Sequence, residues 1–259
     1  DPDQKLSNKC YKYNVRLNTW KEFESLPVAL KLAAAAFCED RIYISGGFDE
    51  NNKETNIFMY YIKQSDSEGK WVKAAPMFNK RTGHSLCTVN GVLYAFGGVS
   101  LADPKTKEQV KIKHQPVEVY YPDTNTWRYA TSMPNARPIF CSAVVEEYIY
   151  IFGAKVVNDF RSDTSCVHRY NTLKEEWNVL EMPYISSNYS RAINYQDKIL
   201  VIANSSQVTA PGSDVLSYNP ETNQWRHVPP MKLSRAHPAV AVFRLPQYRK
   251  YENVRYIKL

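Results

Sequence analysis

Five tryptophans set the frame of this chain of 259 residues. They stand at Trp20, Trp71, Trp127, Trp177 and Trp225, at spacings of 51, 56, 50 and 48, and there is no sixth. Recurrence at one period near 50 along a whole chain marks a repeat architecture, in which one supersecondary unit stacks on copies of itself. The context upstream of each Trp recurs as well. Tyr13 precedes Trp20 by seven residues, and the same seven separate Tyr120 from Trp127, Tyr170 from Trp177 and Tyr218 from Trp225. Polar turn residues lie between them, as in Tyr120-Tyr121-Pro122-Asp123-Thr124-Asn125-Thr126-Trp127. Such a segment reads as strand, turn, strand. The remaining copy, Tyr61 to Trp71, is three residues longer through a turn at 64–69.

A second set of hairpins alternates with the first. Residues 33–39 and 41–47 make one. Residues 84–89 and 92–98 make another around Asn90-Gly91, and Asn-Gly is the strongest short hairpin signal. Residues 140–145 with 148–152, and 191–195 with 198–203, repeat the pattern. These strands are nearly continuous in apolar residues, as expected where both faces are covered. Each repeat is therefore predicted to hold four short antiparallel strands. An aromatic content of 13%, with 19 Tyr, agrees with a β-rich chain.

On these residues the sequence resembles a kelch-repeat β-propeller over roughly residues 10–258. The markers are the double glycines Gly46-Gly47 and Gly97-Gly98, the Tyr-to-Trp spacing, and closing Pro-Met pairs such as Pro76-Met77. Gly153-Ala154 and Ala203-Asn204 stand where further double glycines belong, which partly explains a total of only 9 Gly. The resemblance implies an all-β propeller of four-stranded blades. Residues 26–77, 78–133, 134–183 and 184–231 supply four complete blades; 10–25 supply the last two strands of another, and 232–258 its first two. One domain over 1–259 is predicted, with five blades and a closing blade shared between the two ends of the chain, which removes the open sheet edges. Six blades, the commoner number in that family, with one partly missing, is the alternative.

Composition narrows the function. No run approaches 18 apolar residues, so no membrane-spanning helix is predicted. Asp1-Pro2-Asp3-Gln4 has neither the basic nor the apolar region of a signal peptide. Five widely spaced Cys without a C-x-x-C point to a reducing compartment rather than to a disulfide framework or a zinc site. Cys38, Cys87 and Cys141 fall on first strands, where small buried apolar groups belong. A cytoplasmic protein is the expectation, or a cytoskeletal one on the second reading below. The sequons at Asn188 and Asn204 carry little weight without a signal peptide. The net charge of +7 suits anionic partners, but it is not clustered on one element as in a nucleic-acid binder. His84, His114, His168, His227 and His237 form no metal-binding pattern, and there is neither a nucleophile elbow nor a phosphate loop. Residues 65–71 resemble an Asp-box turn with Asp and Gly in the wrong register. No enzyme, no cofactor and no metal are expected.

The resemblance implies a partner-binding face built from the loop after each second strand and the loop joining one blade to the next. The inter-blade positions are Lys31 with Leu32, Arg81 with Thr82, Arg137 with Ile139, Ser187 with Asn188, and Arg235 with His237. The positions after second strands are Phe48, Val99, Lys155 and Ser205. Lys31, Arg81, Arg137 and Arg235 would form a cationic collar able to fork onto carboxylates. The competing reading for an Arg at this repeat position is an ion pair inside its own blade, for Arg81 with Glu118. An 18-residue loop from Val99 to Pro116 carries Lys105, Lys107, Lys111, Lys113 and His114, a second basic surface. The chain resembles the substrate-binding domain of BTB–kelch adaptors of cullin-RING ubiquitin ligases. That implies a protein substrate or its degron peptide on the loop face, and a cullin bound by BTB and BACK domains outside this chain, with neither nucleic acid nor membrane as partner. The second reading is an actin-binding or actin-cross-linking kelch domain.

Overall fold

The seven-residue spacing of Tyr and Trp is the length of a tight hairpin that sets the two side by side. Tyr13 faces Trp20 across an antiparallel pair, and so do Tyr61 and Trp71, Tyr120 and Trp127, Tyr170 and Trp177, and Tyr218 and Trp225. Ring centroids in the five pairs lie 4.7 to 5.5 Å apart, a range in which aromatic pairs add about 0.5–1.5 kcal/mol beyond their buried area. The longer second copy keeps its pair.

The computed structural model describes residues 6–63, 69–98, 116–134, 141–152, 166–182, 191–202, 215–231 and 240–242. Among them are eighteen strands and no helix. Strands β1 (Cys10–Asn14) and β2 (Thr19–Phe23) form a two-stranded sheet. The first full blade is β3 (Ala34–Cys38), β4 (Arg41–Ser45), β5 (Phe58–Ile62) and β6 (Lys70–Lys73). The second is β7 (Ser85–Val89), β8 (Val92–Phe96), β9 (Glu118–Tyr121) and β10 (Thr126–Tyr129). The third is β11 (Cys141–Val145), β12 (Tyr148–Phe152), β13 (Cys166–Asn171) and β14 (Glu176–Glu181). The fourth is β15 (Arg191–Tyr195), β16 (Lys198–Ile202), β17 (Val215–Asn219) and β18 (Gln224–Val228). Every blade is an antiparallel meander in chain order. The predicted closing strands within 232–258 lie outside the described residues, except for 240–242, which are not in a strand.

First strands pack side by side, β3 on β7, β7 on β11 and β11 on β15. Side chains tie them: Thr88 Oγ1 donates to the Phe37 carbonyl at 2.9 Å, and Asn194 Nδ2 to that of Val144 at 3.1 Å. The core lies between sheets rather than within one. Tyr43, Phe58 and Met77 of the first blade's region pack with Leu93, Ala95, Tyr120 and Trp127 of the second, and Tyr94 and Phe96 pack with Ile149, Ile151 and Tyr170 of the third. Strands β8 and β12 are almost wholly buried, as their apolar runs predict. Cys38, Cys87 and Cys141 are buried free thiols.

Four of the five Trp also join their blade to the one before. The indole N–H of Trp71 donates to the Glu24 carbonyl at 3.0 Å, Trp127 to Ala75 at 2.7 Å, Trp177 to Thr131 at 3.2 Å and Trp225 to Glu181 at 3.4 Å. The acceptor is always the fourth residue after the preceding Trp. Trp20 is 56% exposed, and among the described residues its indole has no acceptor. The hairpin turns repeat a second device. Asn18, Asn125 and Asn223 adopt left-handed backbone, and each accepts the hydroxyl of its Tyr, at 2.5 Å from Tyr13 and 2.9 Å from Tyr120 and Tyr218. Asn and Gly are the residues that visit this conformation most readily.

Candidate interaction face

The double glycine at the end of β4 brings two inter-blade loops together. Gly46 and Gly47 have φ of +57° and +93°. A Cβ on Gly46 would collide with the Arg81 carbonyl and with His84, and one on Gly47 would lie 2.8 Å from the Lys31 carbonyl. Without those Cβ atoms the backbones interlock. Lys31 and Phe48 exchange N–H···O bonds of 3.1 and 2.9 Å, and the Gly47 N–H donates to the Arg81 carbonyl at 2.8 Å. The loop after the second strand thus touches the inter-blade loop of its own blade and that of the next. In the second blade Gly98 approaches the Thr82 carbonyl in the same way.

The β4–β5 loop is held by its own polar groups. Asp49 Oδ1 accepts the N–H groups of Asn51 and Lys53, both at 2.9 Å. Asn52 then presents Oδ1 to the Lys31 ammonium at 2.5 Å, which also sits 5.4 Å from the centre of the Phe48 ring. Lys31 is exposed, and among the described residues its charge is steadied by an amide and a ring and not by an acid.

Arg81 and Thr82 require correction as partner contacts: both are fully buried. The Arg81 guanidinium donates to Glu118 Oε1 through Nε at 3.2 Å and Nη2 at 2.9 Å. It also donates to the Gly97 carbonyl at 2.9 Å and to that of Pro116. Burial lowers its pKa, and the Glu118 charge works against that shift. Glu118 in turn receives the N–H groups of Phe78 and Asn79 at 2.6 and 3.1 Å. This is the intra-blade ion pair, and it anchors the inter-blade loop to the next sheet. Phe48 is also buried and lies beneath Lys31 rather than on the surface. His84, beside Arg81, is buried with Nε2 2.7 Å from Ser45 Oγ. Burial, with a smaller contribution from Arg81, pushes its pKa down to about 3.

Val99, Arg137, Ile139, Lys155, Ser187, Asn188, Ser205, Arg235 and His237 lie outside the described residues, as do Lys105, Lys107, Lys111, Lys113 and His114. Lys31 and its neighbour Leu32 are therefore the exposed rim residues of the expected set among those described. Leu32, in the same inter-blade loop, is 61% exposed with φ of +54°. Aligning the loops on the first residues of β3 and β7 sets Leu32 against Gly83. Among the described residues no group of three His, Cys, Asp or Glu is placed to hold a metal.

Residues 1–186 match the model of the KLHDC2/KLHL20/DRC7 Kelch-repeats domain, and residues 209–232 match the Kelch motif. Human Kelch-like protein 23 is 23% identical over 215 residues, covering 83% of this chain and 36% of that protein. Kelch repeat and BTB domain-containing protein 2 of cowpox virus (strain GRI-90 / Grishak) is 24% identical over 246 residues, covering 88% and 42%. Mouse Kelch-like protein 36 is 24% identical over 242 residues, covering 90% and 37%. The chain thus spans less than half the length of these relatives. Among solved structures, that of YjhT superposes with a TM-score of 0.64 at 19% identity, over 81% of this chain and 68% of that one.

Proposed function

The chain belongs to the family of kelch-repeat domains, and from that premise we propose that it is a non-catalytic protein-recognition module whose loop face holds a short segment of a partner protein. The observation that carries this reading is the Lys31–Phe48 junction. There a second-strand loop and an inter-blade loop interlock through the backbone, leaving an exposed ammonium above a buried ring. A rigid scaffold that presents loops is how binding residues are commonly positioned. The finer reading is the substrate-binding domain of a BTB–kelch adaptor of a cullin-RING ubiquitin ligase, acting in the cytoplasm. It is supported by relatives named for both BTB and kelch parts. In this reading the cullin is bound by domains outside this chain.

The same reading includes a closed ring of five blades, with β1 and β2 completed by strands from 232–258. The offset of four residues that places every Trp acceptor puts the acceptor for Trp20 at Pro229, which is exposed. Truncation after Gln247 should lower the melting temperature sharply. An unchanged value would favour a ring completed by a further blade.

Reversing charge with Lys31→Glu and Lys155→Glu together should weaken partner binding by about 1–2 kcal/mol while leaving the fold intact, because rim charges carry little stability. Affinity purification with wild-type and doubly substituted chain tests it. If every interactor survives the reversal while deletion of 105–114 abolishes binding, the basic loop and not the rim is the recognition site. Co-sedimentation with filamentous actin that ignores both changes would favour the cytoskeletal reading.

A further inference from the structure

Leu32 is held in a conformation that suits glycine. Its φ is +54°, and Gly83, at the same distance before the first strand of the next blade, has φ of +60°. In the left-handed region a Cβ crowds the neighbouring carbonyl, so an L residue is strained there unless its surroundings impose the conformation. Here they do. The Leu32 carbonyl accepts the Gly83 N–H at 2.9 Å, and Lys31 just before it is bonded to Phe48 through both backbone groups. The turn is fixed by the backbone and needs no side chain at position 32, as Gly83 shows in the second blade. Yet the isobutyl group is there and 61% exposed. An apolar side chain that is strained, fixed and left in water on the loop face has the character of a contact directed outward.

Its neighbour supplies the polarity. The Lys31 ammonium is positioned by Asn52 Oδ1 and the Phe48 ring, and among the described residues no carboxylate pairs with it. Asp49, in the adjoining loop, has its Oδ1 engaged by two backbone N–H groups. A fixed cation thus stands one residue from a fixed apolar group.

We propose that Leu32 and Lys31 form a single recognition point that takes a peptide segment in which an apolar side chain adjoins a carboxylate. The proposal rests on the loop-face reading above and specifies its partner. The apolar side chain covers Leu32, and the carboxylate meets an ammonium that needs no rearrangement to receive it.

The test uses the purified chain and an array of ten-residue peptides carrying Leu-Glu, Leu-Gln, Ser-Glu or Leu-Lys at the centre. The wild-type chain should retain the Leu-Glu peptides best. Leu32→Gly should weaken that binding at least tenfold while its melting temperature stays equal or rises, an outcome that a merely structural leucine would not give. Lys31→Met should abolish the preference for Leu-Glu over Leu-Gln. The proposal is overturned if Leu32→Gly binds as the wild type does, or if no peptide class is preferred. It is overturned equally if light scattering shows that Leu32→Gly dissolves a dimer, since a second copy would then cover the residue. A protein partner lost on Lys31→Glu with Lys155→Glu but kept by Leu32→Gly would overturn this proposal and leave the loop-face reading standing. One kept by both would count against the two together.

Discussion

The indole N–H of Trp127 donates to the carbonyl of Ala75 at 2.7 Å, and the Ala75 N–H donates to Asn125 Oδ1 at 2.8 Å. Both backbone groups of one residue in the first blade's closing segment are therefore taken by the second blade's outer hairpin. Asn125 also receives the Tyr120 hydroxyl, so turn, cross-strand pair and inter-blade joint share one set of atoms. That sharing gives the period of 50 a physical meaning: each repeat carries the donor for the repeat before it.

Trp127→Ala should cost about 3–5 kcal/mol, since it removes a large side chain that is only 8% exposed and leaves the Ala75 carbonyl without its donor. Trp20→Ala, at a Trp with no acceptor among the described residues, should cost nearer 1 kcal/mol. Urea denaturation of both variants checks the contrast, and equal losses would show that Trp20 is docked as its repeats are.

Arg81→Leu should destabilise by about 3–5 kcal/mol, because it strands the Glu118 carboxylate in the interior. Changing both residues to Leu should recover only part of the loss. Glu118 also accepts the Phe78 and Asn79 N–H groups, and these would be left unpaired. The first blade holds Leu30 and Met59 at the equivalent positions, so the scaffold itself does not require the charges. A double variant as stable as the wild type would show that those two N–H groups are satisfied elsewhere.

The repeat was legible because its spacing and its geometry are the same fact: seven residues from Tyr to Trp make a hairpin in which the two face each other. Asn90-Gly91 announced its turn for a similarly local reason. The candidate face was less legible. Arg81 and Lys31 both look like free cations on inter-blade loops, and only the positions of Glu118 and the Gly97 carbonyl separate the buried residue from the exposed one. The left-handed backbone of Leu32 was not legible because a positive φ leaves no mark in the residue that adopts it; the mark lies in Gly83, one repeat away. Loop positions such as Lys155 and His237 depend on turn geometry that the Tyr–Trp period does not reach.

His84 gives the stability a pH dependence of defined sign. Its pKa of about 3 in the folded chain lies below the ordinary 6.5, so the unfolded chain takes up a proton that the folded chain refuses. The stabilisation is complete above pH 6.5 and is lost as the pH falls through the window from 6.5 to 3, at roughly 1.4 kcal/mol per unit. His84→Gln, which cannot titrate but can still bond Ser45, should lose less stability over that range. Denaturant midpoints at pH 7, 5.5 and 4.5 test it. Parallel curves for the two proteins would mean that acid opens this region by another route.

Glu175→Asn should raise the stability by about 1 kcal/mol. Glu175 has φ of +56° and stands where Asn18, Asn125 and Asn223 stand in other repeats. Because it is not Asn, the buried Tyr170 hydroxyl lacks the acceptor that Tyr13, Tyr120 and Tyr218 possess. An unpaired buried hydroxyl costs about 1–3 kcal/mol, and Asn tolerates left-handed backbone better than Glu does. Against this, the Arg128 guanidinium loses its bond to Glu175 Oε1 at 2.5 Å. Both of those side chains are part-exposed, so that pair is worth at most about 1 kcal/mol. The gain should appear as a melting temperature about 2–4 °C higher. A lower value would mean that the Arg128–Glu175 link between the second and third blades outweighs the hydroxyl.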